Sequence, residues 1–144
     1  MHSAIGLLSR REHSIVELKQ KLSAKVKDDI EPQAIDDIIE YLLVNDYLSN
    51  ERYAESVIRN RISRGYGWQY IKQALKQKGI DSYTASQALN EQEVDWYLQA
   101  ELTYSKRFGD DEITDPKDKA KRIRFMQYRG FSFDEISALL KTNN

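Results

Sequence analysis

The stretch Arg59–Ile80, RNRISRGYGWQYIKQALKQKGI, gathers six cations and no carboxylate around Gly65-Tyr66-Gly67-Trp68. Its middle, RGYGWQYIKQAL (Arg64–Leu75), aligns without gaps with REHSIVELKQKL (Arg11–Leu22) and RGFSFDEISALL (Arg129–Leu140). Each segment opens with Arg and places a ring two positions on, at His13, Tyr66 and Phe131. A small helix-starting residue follows (Ser14, Gly67 or Ser132). Then comes an apolar pair four residues apart: Leu18 and Leu22, Ile71 and Leu75, Ile136 and Leu140. Each motif therefore reads as a helix N-terminus. Ser14 with Glu17, and Ser132 with Glu135, have capping-box spacing, in which each side chain bonds the other residue's backbone N–H. The ring just before the cap and the apolar residue at N4 have the spacing of a hydrophobic staple. Gly65 and Gly130 are free to take positive φ in a tight turn, whereas Glu12 holds that place in the first copy.

Working outward, a helix is expected before each motif, in AIGLLSRR, NERYAESVIRNRISR and PKDKAKRIRFMQYR. Tyr53, Ala54, Val57, Ile58 and Ile62 form one apolar stripe, and Ala120, Ile123 and Met126 another. Pro116 after Asp115 is a start signal with proline at N1. Helices also follow the first two motifs. PQAIDDIIEYLLVNDYL opens with Pro32 and carries Ile35, Ile38, Ile39, Leu42 and Leu43 at helical spacing. SYTASQALNE follows Gly79, a helix-ending residue. The third copy stops before such a helix. Glu93–Phe108, with Val94, Leu98 and Leu102 four apart, is expected as an extra helix linking copies two and three, and Gly109–Asp115 as a loop. No strand pattern competes. The expected fold is all-α, with three tandem three-helix, helix-turn-helix-like repeats at residues 1–49, 50–92 and 93–144, the last including the linking helix. Units of this size bury their faces against their neighbours.

At 144 residues the chain has the length of one typical domain, and it has no cysteine. A disulfide scaffold, a thiolate nucleophile and a Cys-ligated zinc site are excluded. No apolar run approaches the roughly 20 residues needed to cross a bilayer, and MHSAIGLLSRREHS lacks the features of a signal peptide. A soluble, cytoplasmic protein without membrane contact is expected. The formal net charge of −1 conceals an alternation. Residues 1–50 carry six cations and nine anions, and residues 51–80 seven and two. Residues 81–115 carry two and nine, and residues 116–144 seven and three. Two basic segments alternating with two acidic ones suggest surfaces that meet an anionic or a two-signed partner.

Catalysis has no residue set behind it. His2 lies near the terminus, and His13 holds a ring position shared with Tyr66 and Phe131, which is a packing place rather than that of a base or ligand. GYGWQYIKQALKQKG lacks the spacing of a phosphate loop and a preceding strand. The Asp pairs at 28–29, 36–37 and 110–111 lack EF-hand spacing and read as helix-end and loop charges. Neither a cofactor nor a metal is expected. Binding has more behind it. Lys72, Gln73, Lys76 and Gln77 recur away from the Ile71/Leu75 face, and Arg52, Arg59 and Asn60 away from the Tyr53/Val57/Ile58 stripe. Arg61 and Arg64 flank the turn, with Trp68 beside them. Cations beside rings suit phosphate or carboxylate contacts with stacking.

At these residues the sequence resembles the RecX family, regulators of the RecA recombinase. YLSNERYAESVIRNRISRGYGWQYIKQALKQKGI (Tyr47–Ile80) is similar to the family's central signature. REHSIVELKQKL and RFMQYRGFSFDEI are similar to its N- and C-terminal motifs. Glu12 in place of Gly, and a short N-terminus, are the departures. The resemblance implies three tandem three-helix repeats in an elongated, curved molecule. It implies binding in the groove of the RecA–DNA filament, with inhibition of ATPase, strand exchange and co-protease activity and so an effect on DNA repair and the SOS response. On this reading the contact residues are Arg52, Arg59, Arg61, Arg64, Trp68, Lys72, Lys76 and Lys78. Lys119, Lys121, Arg122, Arg124 and Arg129 form a second patch. The chain is expected to act as a monomer without catalysis. The rival reading is a module of helix-turn-helix-like units that binds single- or double-stranded DNA directly.

Overall fold

The computed structural model describes residues 1–26 and 32–142. Among them run nine α-helices and no strand: α1 (His2–Arg10), α2 (Ile15–Val26), α3 (Pro32–Val44), α4 (Asn50–Ser63), α5 (Trp68–Gln77), α6 (Ser82–Asn90), α7 (Trp96–Phe108), α8 (Pro116–Tyr128) and α9 (Phe133–Thr142). The Asp28–Asp29 pair lies outside the described residues.

The helices begin where the sequence supplies acceptors for their first, otherwise unpaired N–H groups. Ser49, Asp81, Asp95 and Asp115 accept from the N–H groups of Arg52, Thr84, Leu98 and Asp118. The Ser132–Glu135 capping box is complete, at 2.8 and 3.2 Å. At the first motif only half of it forms. Glu17 N–H donates to Ser14 Oγ at 3.0 Å, but the Glu17 carboxylate turns away to Arg11. Gly65 and Gly130 take the positive φ expected of them, +83° and +97°. The first turn differs: Arg11, the C-cap residue of α1, is extended.

Three apolar cores follow one another along the chain. Ala4, Leu18, Leu22, Ile35, Ile39 and Leu42 come from α1–α3, with Leu48 beyond them. Tyr53, Ala54, Ile58, Ile71, Leu75, Ala85 and Ala88 come from α4–α6. Ala100, Tyr104, Met126, Ile136, Leu139 and Leu140 come from α7–α9, joined by Phe131. Each fully covered Leu or Ile contributes roughly 1.5–3 kcal/mol.

Helix α7 departs from its apolar pattern. Leu98 and Leu102, the apolar pair four apart, are 49% and 59% exposed, and the buried residues are Gln99, Ala100, Thr103 and Tyr104. The reason lies 33 to 38 residues away in the chain. Gln99 Nε2 donates to the carbonyls of Ile62 and Tyr66, and Thr103 Oγ1 to that of Gly65. These carbonyls belong to the end of α4 and the turn after it, where that of Ile62 also accepts from Gly65 N–H, and carbonyls at a helix end need donors when buried. α7 therefore turns its polar stripe to α4 and its Ala100/Tyr104 side into the third core.

The same economy of main-chain contact joins the α4–α5 turn to the α8–α9 turn. Gly67 N–H donates to Arg129 O at 2.7 Å and Gln69 N–H to Gly130 O at 3.0 Å. The N-terminus of α5 has no side-chain cap, and two carbonyls of the other turn replace it. A Cβ on Gly67 would lie 2.5 Å from Gly130 O, and one on Gly130 would lie 2.4 Å from Tyr70 N. That closeness explains why Gly67 stands where the other two motifs have Ser.

Side chains do more of the work between α2 and α4–α5. Arg52 Nε donates to Glu12 at 3.1 Å, and Asn50 Oδ1 accepts from Ile15 N–H at 2.9 Å. Lys78 Nζ lies 3.8 Å from Glu17. Burial pushes the Glu17 carboxyl up, but the two hydrogen bonds from Arg11, at 3.0 and 2.8 Å, hold it below its ordinary value overall.

Candidate binding groove and cation surfaces

The C-terminal end of α4 meets α7, and a groove lies between them. Ile62, Leu98 and Leu102 line its apolar part, with Arg59 at one end. At the other end the groove widens to about 390 Å3 and is bordered by Arg64, Lys106, Arg107 and Arg129. These four cations come from α4's C-terminal turn, α7 and the α8–α9 turn, and among the described residues no carboxylate borders this end. Phe125 sits between two of them: the guanidinium of Arg107 is 5.5 Å from its ring centre and that of Arg129 is 5.3 Å. Arg129 also stacks over Tyr66 at 4.6 Å and donates from Nη1 to Arg64 O at 2.9 Å. The rings and the carbonyl fix where the positive charge is held.

Relatives of known family match almost the whole chain. The model of the second three-helix domain of RecX matches residues 49–89, and that of the third three-helix domain matches residues 93–140. The chain is 41% identical over 138 residues to the regulatory protein RecX of Vibrio parahaemolyticus, covering 96% of this chain and 87% of that one. It is 40% identical over 141 residues to that of Vibrio cholerae El Tor Inaba, covering 98% and 91%. The crystal structure of RecX from Lactobacillus salivarius superposes with a TM-score of 0.79 at 26% identity, over 98% of this chain and 92% of that one. The chain belongs to the RecX family. The match to the third RecX domain takes α7 in as one of that domain's helices.

Within this RecX fold the cations singled out in the sequence divide into two groups. Arg59, Arg64, Lys72, Lys76, Lys119, Lys121 and Arg124 are exposed, and none of them joins an ion pair among the described residues. The others are engaged inside the molecule. Arg122 is 5% exposed. It pairs with Asp118 at 3.1 Å and donates to Tyr104 Oη, Asp111 O and Glu112 O. It stabilises the loop before α8, so its expected place in an outward patch is corrected: the loop's carbonyls needed a multidentate donor. Arg52 is bound by Glu12 and Asp46, Lys78 approaches Glu17, and Arg129 is held between Tyr66 and Phe125. Arg61 is half-buried, donating to Asn60 Oδ1, and its Nε is buried without a partner. The ring of Trp68 packs on the second core, 6.2 Å from Trp96.

Lys106 and Arg107 escaped the sequence reading. They lie in the most acidic block of the chain, where two cations in the last turn of a helix read as partners of its dipole. Only folding brings them beside Arg64 and Arg129. His13 is buried, with its Nδ1–H donating to Arg11 O and Lys21 Nζ donating to Nε2. Burial lowers its pKa. The ring is held neutral and fills a packing position.

Proposed function

We propose that this chain is a non-catalytic regulator that binds the groove of the RecA–DNA filament and lowers its ATPase, strand-exchange and co-protease activities. The observation that carries this reading is the separation of its cations. Arg59, Arg64, Lys72 and Lys76 stand exposed on α4, its C-terminal turn and α5 without an ion pair among the described residues, while Arg52, Arg122 and Arg129 hold the fold. A surface of unpaired cations beside exposed acidic segments complements a filament of protein and phosphate, which carries both signs. Family membership supports the regulatory role.

Single-stranded-DNA-dependent RecA ATPase, titrated with this protein in excess DNA, tests the proposal. Inhibition at amounts far below the DNA supports action on the filament, and absence of inhibition sinks it. The double variant Lys72→Glu with Lys76→Glu keeps its helical circular dichroism and loses at least about tenfold in inhibitory potency, since both side chains are exposed and in no ion pair among the described residues.

A second reading, direct binding of nucleic acid, has one observation in its favour. Lys117, Lys121, Arg124 and Tyr128 recur at spacings of four, three and four on one face of α8. Tyr128 and, past the turn, Phe133 are 75% and 78% exposed. Cations leading to exposed rings suit a single strand. Major-groove reading by α5 is disfavoured, because a recognition helix uses its N-terminal residues and those of α5 are bonded to the α8–α9 turn. ATPase inhibition only at amounts that coat the DNA would favour this second reading.

A further inference from the structure

We propose that the groove between α4 and α7 seats an acidic, leucine-bearing helix of the protein partner. Its apolar face would lie on Leu98 and Leu102, and its carboxylates would meet Arg64, Lys106 and Arg107. This deepens the function proposed above and rests on it in taking that partner to be the recombinase.

Three observations converge. First, the floor of the groove is apolar where solvent reaches it. Leu98 and Leu102 are 49% and 59% exposed, one turn apart on α7, with Ile62 opposite on α4. The polar side chains between them, Gln99 and Thr103, have their donors engaged by the carbonyls of α4. Exposed leucines one turn apart accept the i, i+3, i+4 anchors of an amphipathic helix. Second, the rim at the Arg64–Arg129 end carries charge of one sign among the described residues, while Asp95 lies at the Arg59 end. Arg107 and Arg129 converge on the same Phe125 ring, and Arg64 and Lys106 stand beside them with no carboxylate bordering that end. Like charges gathered this closely repel one another until an anion arrives. Third, among the described residues the groove exposes no stacking platform. Its one ring, Phe125, is half-buried and flanked by two guanidinium groups. Bases of a single strand need open ring faces, whereas leucine and glutamate side chains need what the groove offers. Charge and surface together favour a protein segment over nucleic acid.

The probe is a fluorescein-labelled synthetic helix with Leu at i, i+3, i+4 and i+7 and Glu elsewhere, read by anisotropy as the full chain is titrated at low salt. Saturable binding is expected. Leu102→Glu weakens it at least about tenfold, as does Lys106→Glu with Arg107→Glu, and a peptide of equal charge with Ser for Leu binds at least about tenfold more weakly. Oligothymidylate leaves the peptide bound. No saturable binding, or equal binding of the Ser peptide, overturns the proposal, the latter by reducing the groove to a bare field of charge. Displacement by oligothymidylate also overturns it, by assigning the groove to nucleic acid. Leu102 is exposed, so its variant keeps the wild-type melting temperature and the comparison stands on folded protein. The ATPase titration is run on the same preparations. Wild type that binds the peptide but leaves the ATPase untouched removes the recombinase and leaves the groove. Wild type that inhibits while Leu102→Glu inhibits equally removes the groove and leaves the recombinase.

Discussion

Arg122 and Lys72 carry the same formal charge and do opposite things. Lys72 ends in solvent on α5, while Arg122 gives its guanidinium to Asp118, Tyr104 and the carbonyls of Asp111 and Glu112. Arg122→Ala removes the donor from buried Tyr104 Oη and from the partly buried carbonyls of Asp111 and Glu112, and a loss of about 2 kcal/mol in unfolding free energy is expected, measured by urea titration. Lys72→Ala changes the same quantity by less than about 0.5 kcal/mol. His13 makes a prediction about pH. Its folded pKa lies below the ordinary 6.5 because burial disfavours the imidazolium, with Arg11 and Lys21 adding repulsion and the Arg11 carbonyl and Glu17 opposing them. The unfolded chain therefore binds more protons, and stability rises with pH across this window. The contribution is complete above the ordinary value and is lost as pH falls through the folded one. Thermal melts of wild type and His13→Phe at about pH 8 and about pH 5 check it: wild type loses more on acidification than the variant. Glu17 acts in a separate window, below its ordinary 4.5, because its folded pKa is also lowered. A pH-independent difference between the two proteins would remove His13 as the sensor.

At the scale of the element, the most informative contrast is between two glycines. Gly6 lies inside α1, and a Cβ there would meet nothing within 4 Å. Gly6→Ala is expected to raise stability by about 0.5–1 kcal/mol through the backbone entropy of the unfolded chain. Gly67 has ordinary negative φ, so the same change there costs nothing locally. It drives Cβ into the Gly130 carbonyl, 2.5 Å away, and neither backbone can yield without breaking the cap of α5. Gly67→Ala is expected to cost about 2–3 kcal/mol, and the opposite signs of the two melting-temperature shifts are the measurement. This contrast also marks what the sequence discloses. The helices, the Ser132–Glu135 cap and most buried stripes are local patterns and were readable: Ile35, Ile39 and Leu42, or Ile58 and Ile71, lie where their spacing puts them. Whether a cation is free, why Gly67 is not Ser, and which face of α7 is buried depend on partners far along the chain. Arg52 meets Glu12 across 40 residues, Gln99 meets Ile62 across 37 and Arg129 meets Arg64 across 65. A periodicity of four cannot register such pairings. The groove was half legible for the same reason: Arg64 and Arg129 belonged to the repeated motif, while Lys106 and Arg107 belonged to none of its copies.

Across the whole molecule, the three cores are joined by two junctions of different chemistry, and the difference is measurable. Between α2 and α4–α5 the links include the Arg52–Glu12 pair, both partners about a third exposed, and the longer Lys78–Glu17 approach. Half-exposed pairs of this kind contribute at most about 1 kcal/mol each and weaken as salt shortens the Debye length from about 10 Å at 0.1 M to about 3 Å at 1 M. Between the second and third cores the links are backbone hydrogen bonds from Gly67 and Gln69 to the α8–α9 turn, backed by Gln99 and Thr103 on the carbonyls of Ile62, Tyr66 and Gly65, with the one charged link, Arg129 on Tyr66 and Arg64 O, paired to no carboxylate among the described residues. Neutral main-chain bonds are insensitive to salt. Hydrogen exchange followed at about 0.1 M and about 1 M salt should therefore speed up at Ile15 and the start of α2 while Gly67 and Gln69 keep their protection. Uniform acceleration at both junctions would mean that the molecule opens as one unit and that the ion pairs carry no separate share. Selective loosening would have a consequence for binding. The α4–α7 groove draws its rim and floor from the second and third units, on the salt-resistant side. Its shape should then persist at ionic strengths that screen its charges, and peptide binding would fall with salt through screening alone, with no loss of the site.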